Sequence, residues 1–475
     1  MKLVKGKRQL RREVTSQSSA TRPSASTLVV PIEAREFELY GLGLPRGPNF
    51  EPYCLQSAWR SKDRSSVGAV LVDPEAVRFG AFTMRRQTDH RFVVTQQVMG
   101  LRTFDDAMCR AVAAIRPDDP PEALPPGIRK RPLLLQLGDR KPGDVFKLLA
   151  SSVTHIPALM AVGEAYLAMP RPDDNFVADM QMGNFDSRLW ELYLLAAFRE
   201  QGIAVTQDHP SPDFLIEREG HQCYVEAVTA NPTGARTQDF AMPPLPPEDP
   251  AERMLGPAAV RFAKTLRNKL QKEYDKAPHV HGGPFALAIA DFHAPSSMLW
   301  SREALPTYLY GVHAQVTRGP AGRQAIGVPV DVLRGDDRIP AGLFRDPSMS
   351  HLSAVIFSNA GTLGKFNRMG YLAGYRPAGL TMVREGILFD RRPGALVSIP
   401  FELDILSKEY AAMWPWGEAW CQELEIYHNP LANHPVDFDL LPGATHWFER
   451  NREVECSTIW QSHVLASVTH LKLEE

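Results

Sequence analysis

Asp213, Glu226, Glu191 and Lys269 are the residues of this chain whose types and spacing could do chemistry. Asp213 follows Pro212 at the mouth of the apolar run FLI. Glu226 comes thirteen positions later, beyond a turn at Gly220, inside the run CYVEAVTA. Side chains alternate along a strand, so Tyr224, Glu226 and Val228 share one face. A carboxylate in such apolar company is paired or metal-bound, unless the strand is an edge with one wet face. If the two runs form a hairpin, Asp213 and Glu226 come together. Two or three carboxylates so gathered bind Mg²⁺ or Mn²⁺ through oxygen. A metal held there lowers the pKa of a bound water, polarises a phosphoryl oxygen and stabilises a leaving alkoxide.

Two helices must complete this arrangement. In Ser187–Gln201 the buried stripe is marked by Trp190, Leu194, Ala197 and Phe198, and Glu191 falls inside it. Burying that carboxylate requires a cation or a donor; the alternative is a stripe-edge side chain bent out to solvent. The run VRFAKTLRNKLQKEYDKA predicts a long helix over 257–276. With Phe262, Leu266 and Leu270 as its buried line, Lys269 lies on the flank nearest that line, whereas Lys264 and Lys272 point away. A lysine with a packed stem and a solvated ammonium is the plainer reading of Lys269. Strands over 285–292 and 353–358 and a helix near 302–312 follow, so helices alternate with strands. The expectation is an α/β core, a mixed central sheet flanked by helices.

The helix glutamate, the Pro-Asp before a strand and the strand glutamate together resemble the PD-(D/E)xK nuclease superfamily, the restriction-endonuclease-like fold. The resemblance covers about 186 to 292 with its motifs and extends towards 360 through the later strands. It implies a metal-dependent nuclease in which Asp213 and Glu226 hold Mg²⁺ or Mn²⁺, Glu191 completes or supports the shell, and a lysine positions the attacking water. The chain departs from the pattern at the third motif position, where Val228 stands in place of the lysine. Lysines supplied by a neighbouring helix occur in the superfamily, which points to Lys269. The resemblance further implies nucleic acid as partner, DNA before RNA, and a restriction or phage-defence setting with a second copy or a defence-system protein alongside. An inactive relative retained as a nucleic-acid- or protein-binding module is the alternative, and the direction of the Lys269 ammonium separates the two. A hydrolase of small phosphoesters is a third reading.

Composition sets the limits. A net charge of -2 and a pI near 6.7 exclude a generally basic surface, so any nucleic-acid contact must be a local patch. The five cysteines have no CxxC spacing, which argues against a disulfide framework or zinc knuckle; with no apolar run of membrane-spanning length, a cytoplasmic location is expected.

The 475 residues divide by pattern into a basic disordered tail (1–28), a small α+β domain (29–116), a proline-rich linker (117–142), the nuclease-like core (143–360) and a C-terminal extension packed on the core (361–475). In the α+β domain FELYGLGL, SVGAVLVD, VRFGAFTMR and RFVVTQQV read as strands, and Thr103 opens a helix. GTLGKFNRMG reads as a glycine-flanked loop whose Lys365, Asn367 and Arg368 contact a phosphate backbone. His279, His281 and His293 lack a zincin spacing, and His428 and His434 lie in a turn-rich stretch beside the site.

Overall fold

The computed structural model describes residues 29–116, 119–232, 246–319, 322–335, 338–392, 395–414, 417–451 and 453–474. The expected N-terminal tail lies outside the described residues.

Five antiparallel strands, β1 (Val29–Ile32), β2 (Cys54–Ser61), β3 (Ser66–Asp73), β4 (Arg78–Arg86) and β5 (Phe92–Leu101), form the first sheet in sequence order. Helix Phe104–Ala113 covers β3 and β4 through Ala107, Met108 and Ala111, and its first turn is capped by Thr103, whose Oγ1 accepts from the Asp106 N–H at 3.2 Å. The run FELYGLGL, expected as a strand, is instead the end of helix Ala34–Gly41. Its buried residues Phe37, Tyr40 and Gly41 follow helical spacing, with Leu39 and Glu36 filling the same face. The segment after 118 is tied down: the Arg131 guanidinium donates to the carbonyls of Tyr166, Leu167 and Met169, and Leu134 is part of the core.

The core is an eight-stranded mixed sheet. Its strands in chain order are β6 (Ala204–Thr206), β7 (Phe214–Arg218), β8 (His221–Ala230), β9 (Phe285–Asp291), β12 (Ala354–Phe357), β15 (Glu425–His428), β16 (Thr445–Arg450) and β17 (Glu453–Ser457). In space they run β17-β16-β15-β12-β9-β8-β7-β6. Strands β8, β9 and β12 are parallel, and β6, β7 and β8 form an antiparallel meander. The remaining strands are the hairpin β10 (Val312–Gly319) and β11 (Gly322–Pro329), and a three-stranded sheet of β13 (Leu380–Leu388), β14 (Ile399–Asp404) and β18 (Val464–Leu473). The protein is thus mixed α/β with several sheets. Region 361–475, read as an extension packed on the core, supplies three strands to the central sheet itself. With four, six and five residues these strands are too short to show a period.

Strand β9 shows how the two layers are chosen. Ala286, Ala288 and Ala290 face helix Phe185–Glu200, and their small size lets the Trp190 indole N–H reach the Ala288 carbonyl at 3.0 Å. Phe285, Leu287 and Ile289 face helix Pro257–Leu270 on the other side. Both faces are covered, which is why the strand reads as continuously apolar. Among the described residues no single helix is long and apolar enough to cross a membrane.

The run GTLGKFNRMG is not a loop. Residues Leu363–Leu372 are helical, and Lys365, Asn367 and Arg368 are buried. Lys365 donates to Glu418, Glu423 and the Ala419 carbonyl, Arg368 to Glu418, and Asn367 accepts from the Ala158 N–H. They cannot meet a phosphate backbone. The glycines misled because they serve packing: a Cβ on Gly370 would lie 2.0 Å from the Pro157 carbonyl oxygen, so glycine lets two helices touch.

Candidate functional site

The β7–β8 hairpin creates the site. Glu219 and Gly220 both adopt positive φ (53° and 86°), a two-residue turn whose twist suits paired strands. The resulting register pairs Phe214 with Val225, which sets Asp213 opposite Glu226 on the face towards helix Pro257–Leu270. Asp213 lies just beyond the end of β6, which stops at the Thr206–Leu215 pair. Its Oδ2 accepts from the Ala227 N–H at 2.7 Å, which fixes the carboxylate against β8.

Lys269 comes from the last turn of its helix, and its Nζ lies 2.7 Å from Glu226 Oε1. The same oxygen accepts from the Tyr274 hydroxyl at 2.7 Å. Glu226 Oε2 is buried and has no hydrogen-bond partner. An ionised carboxylate only accepts, so this oxygen is open to a cation or donor.

Glu191 approaches from the opposite helix layer. Ser187, one turn before it, bonds Thr229 at 2.8 Å and locks that helix to β8. Both Glu191 oxygens accept from Arg188, at 3.0 and 3.3 Å, and Arg188 is also paired with Asp173 and Asp179. Glu191, expected to complete or support a metal shell, has an arginine partner that the sequence did not show. Glu191 is already held by an arginine three residues away on its own helix and serves to fix the Arg188 cluster beside Asp213. Among the described residues no group of three or more His, Cys, Asp or Glu side chains is arranged to hold a metal. Asp213 and Glu226 are the two carboxylates that could hold Mg²⁺, an ion that keeps several waters and takes one or two carboxylates.

The electrostatics follow from crowding acids into a buried place. Burial and then the Glu226 charge push Asp213 up to about 7, against a backbone bond and the Lys269 charge. Burial and then Asp213 push Glu191 up to about 8, against Arg188. The Tyr274 hydroxyl is also raised, by burial and then by its bond to Glu226, so it stays a donor. A carboxyl whose folded pKa exceeds its unfolded value holds more protons folded than unfolded. Its stability contribution is flat below about 4 and declines as pH rises towards about 7. Asp213→Asn should therefore be more stable than wild type at pH 8, by on the order of 1–2 kcal/mol, with the gap closing towards pH 4. Thermal melts across that range check this; a destabilised variant at pH 8 would contradict the crowding.

Val228, at the position where the resembled motif carries lysine, is buried in the apolar layer under helix Pro257–Leu270. Arg188 and Tyr274 escaped the sequence reading. Arg188 carried a weak signal in its three-residue spacing to Glu191, and Tyr274 sits beyond the helix end, where periodicity stops. His279 packs at the mouth of the site, stacked on His209 at 3.7 Å and bonded to the Ser211 carbonyl at 2.9 Å. His428 is three strands away from β8 and bonds His446, so it does not buttress the site.

No family model, curated protein or solved structure matches this chain. The class defined by fold and site is a mixed α/β protein bearing a buried, acid-crowded carboxylate pair with an attendant lysine.

Proposed function

We propose that this protein is a metal-dependent nuclease of the restriction-endonuclease-like kind, hydrolysing phosphodiester bonds at Asp213 and Glu226. The observation that carries the reading is the Lys269 ammonium at 2.7 Å from Glu226, which stands opposite Asp213 on the hairpin. A relic site has no reason to keep a lysine, delivered by a separate helix, on its strand carboxylate.

Asp213 and Glu226 would hold Mg²⁺ or Mn²⁺, which supplies an activated water and charge neutralisation at the phosphoryl group. The chain's own groups do the rest. The Ala227 N–H and the Tyr274 hydroxyl orient the two carboxylates. Lys269, with 27% of its side chain exposed, can present its ammonium both to Glu226 and to a group arriving from solvent. There it would orient the attacking water and offset the charge that builds on the phosphate. Arg188 donates to both Glu191 oxygens and holds that side chain beside Asp213.

Cleavage of single- and double-stranded DNA and RNA, with Mg²⁺, Mn²⁺ or EDTA, tests the proposal. Metal-dependent cutting of at least one polymer is expected, and no cutting of any of them under any metal condition counts against it. Lys269→Met should lower the cleavage rate by about 10²–10³ while leaving Mn²⁺ affinity unchanged or raised, since a competing cation is gone. An unaffected rate would remove Lys269 from the mechanism.

A further inference from the structure

With a net charge of -2 the chain needs a local basic surface to hold nucleic acid, and two adjoining elements are rich in cations and free of Asp and Glu. Residues 257–272 carry Arg261, Lys264, Arg267, Lys269 and Lys272 and no Asp or Glu. Helix Ala304–Tyr310 packs on this segment, with Arg267 donating to the Tyr308 hydroxyl at 3.1 Å. The β10–β11 hairpin springs from the end of that helix, closed at its base by the Val330 N–H to Gly311 carbonyl bond of 2.9 Å. Residues 312–330 also lack any Asp or Glu, and the register places Arg318 opposite Arg323 near the tip.

Among the described residues this ribbon pairs with no other strand. Eight residues per strand give it a reach of about 27 Å. Gln315, Val316, Arg318 and Ile326 are exposed on it, and Val316 and Ile326 are 53% and 41% exposed. An isolated two-stranded ribbon is marginal in water, so a projecting one with apolar and cationic side chains is suited to a partner. An exposed Arg318 in an element with no Asp or Glu selects a polyanion over a second copy of the same ribbon, whose cations would repel it.

We propose that the β10–β11 ribbon and the basic helix Pro257–Leu270 form a docking surface for duplex DNA, the ribbon entering the major groove. The proposal rests on the phosphodiesterase reading and names its substrate form. A two-stranded ribbon fits the B-form major groove, about 12 Å wide, whereas the deep, narrow major groove of A-form RNA excludes it.

The test is binding without cutting. Fluorescence anisotropy in EDTA follows a 30-base-pair DNA duplex on the full chain, so the result does not depend on whether the site is active. Arg318→Ala/Arg323→Ala should weaken binding by about tenfold or more and lower the slope of log K against log salt by about 2. A control pair remote from this surface, Arg78→Ala/Arg110→Ala on the first sheet and its helix, should change neither. Circular dichroism confirms that both variants fold. Duplex binding unchanged in the ribbon variant, an equal loss in the control pair, no duplex binding by wild type, or tighter binding of duplex RNA would each overturn the proposal. Failure of the cleavage assay alone would overturn only the nuclease reading.

Discussion

Glu226→Gln should reduce metal-dependent cleavage by at least about 10³-fold, the scale expected when a group that stabilises transition-state charge is removed. The fold should survive. Glutamine is isosteric, its carbonyl oxygen can still accept from Tyr274, and Lys269 keeps contact with solvent. The loss comes from the charge: a neutral amide is a poor ligand for a hard cation, and it leaves the Lys269 ammonium without its counter-ion. The same substitution removes the second-largest cause that raises Asp213, so the Asp213 pKa should fall. Cleavage time courses with matched thermal melts check this. A folded variant cutting at the wild-type rate would exclude Glu226 from the chemistry.

The second large effect concerns stability and lies far from the site. Glu418 is fully buried and accepts from Lys365, Arg368 and the Tyr410 hydroxyl, while Arg384 lies 3.5 Å away and pairs chiefly with Glu423. Three cations thus face two carboxylates in the interior. Burial opposes ionisation of Glu418, but Arg368, Lys365 and Arg384 outweigh it and hold its pKa well below 4.5. Glu418→Gln removes the central anion and leaves the cations uncompensated. The expected loss is about 3–5 kcal/mol, with release of helix Leu363–Leu372 from β13. Because the folded pKa of Glu418 is depressed, its contribution is complete above 4.5 and is lost as pH falls below that value. Wild type should lose stability on acidification in that window, and the variant should lose less. Chemical denaturation at pH 7 and pH 3 checks both statements; a variant as stable as wild type at pH 7 would show that the cluster contributes specificity without stability.

The hairpin and its facing acids were legible because two local signals agree. Strand alternation in CYVEAVTA placed Glu226, and the turn at Gly220 brought Asp213 across from it. Lys269 was legible from one helical wheel, since the stripe Phe262–Leu266–Leu270 defines which flank leans towards the sheet. What failed did so for identifiable reasons. Glu191 was rightly expected to need a cation, but its partner, Arg188, is a choice among several nearby charges that only tertiary packing makes. Lys365, Asn367 and Arg368 look like a phosphate-contacting loop because glycine and polar residues dominate; the counter-ions of Lys365 and Arg368 lie 50 to 58 positions away, and Asn367 accepts from Ala158, 209 positions away. The helix at Ala34–Gly41 was read with period two because Phe37 and Leu39 are both apolar, while the packing follows Phe37, Tyr40 and Gly41. Strands β15 and β16 join the sheet by long-range pairing, with β12 and with each other, which no local pattern encodes, and β17 follows β16 as a hairpin in which Arg450 pairs with Glu453.

The central claim, that Asp213 and Glu226 form a divalent-metal site, is tested most directly by calorimetric titration of Mn²⁺ into wild type, Asp213→Asn and Glu226→Gln. Wild type should bind at one saturable site, more tightly at pH 8 than at pH 6, because the raised Asp213 must give up its proton. Either substitution should weaken that site by at least about tenfold. Equal Mn²⁺ binding in all three proteins, or none in wild type at pH 8, would contradict it.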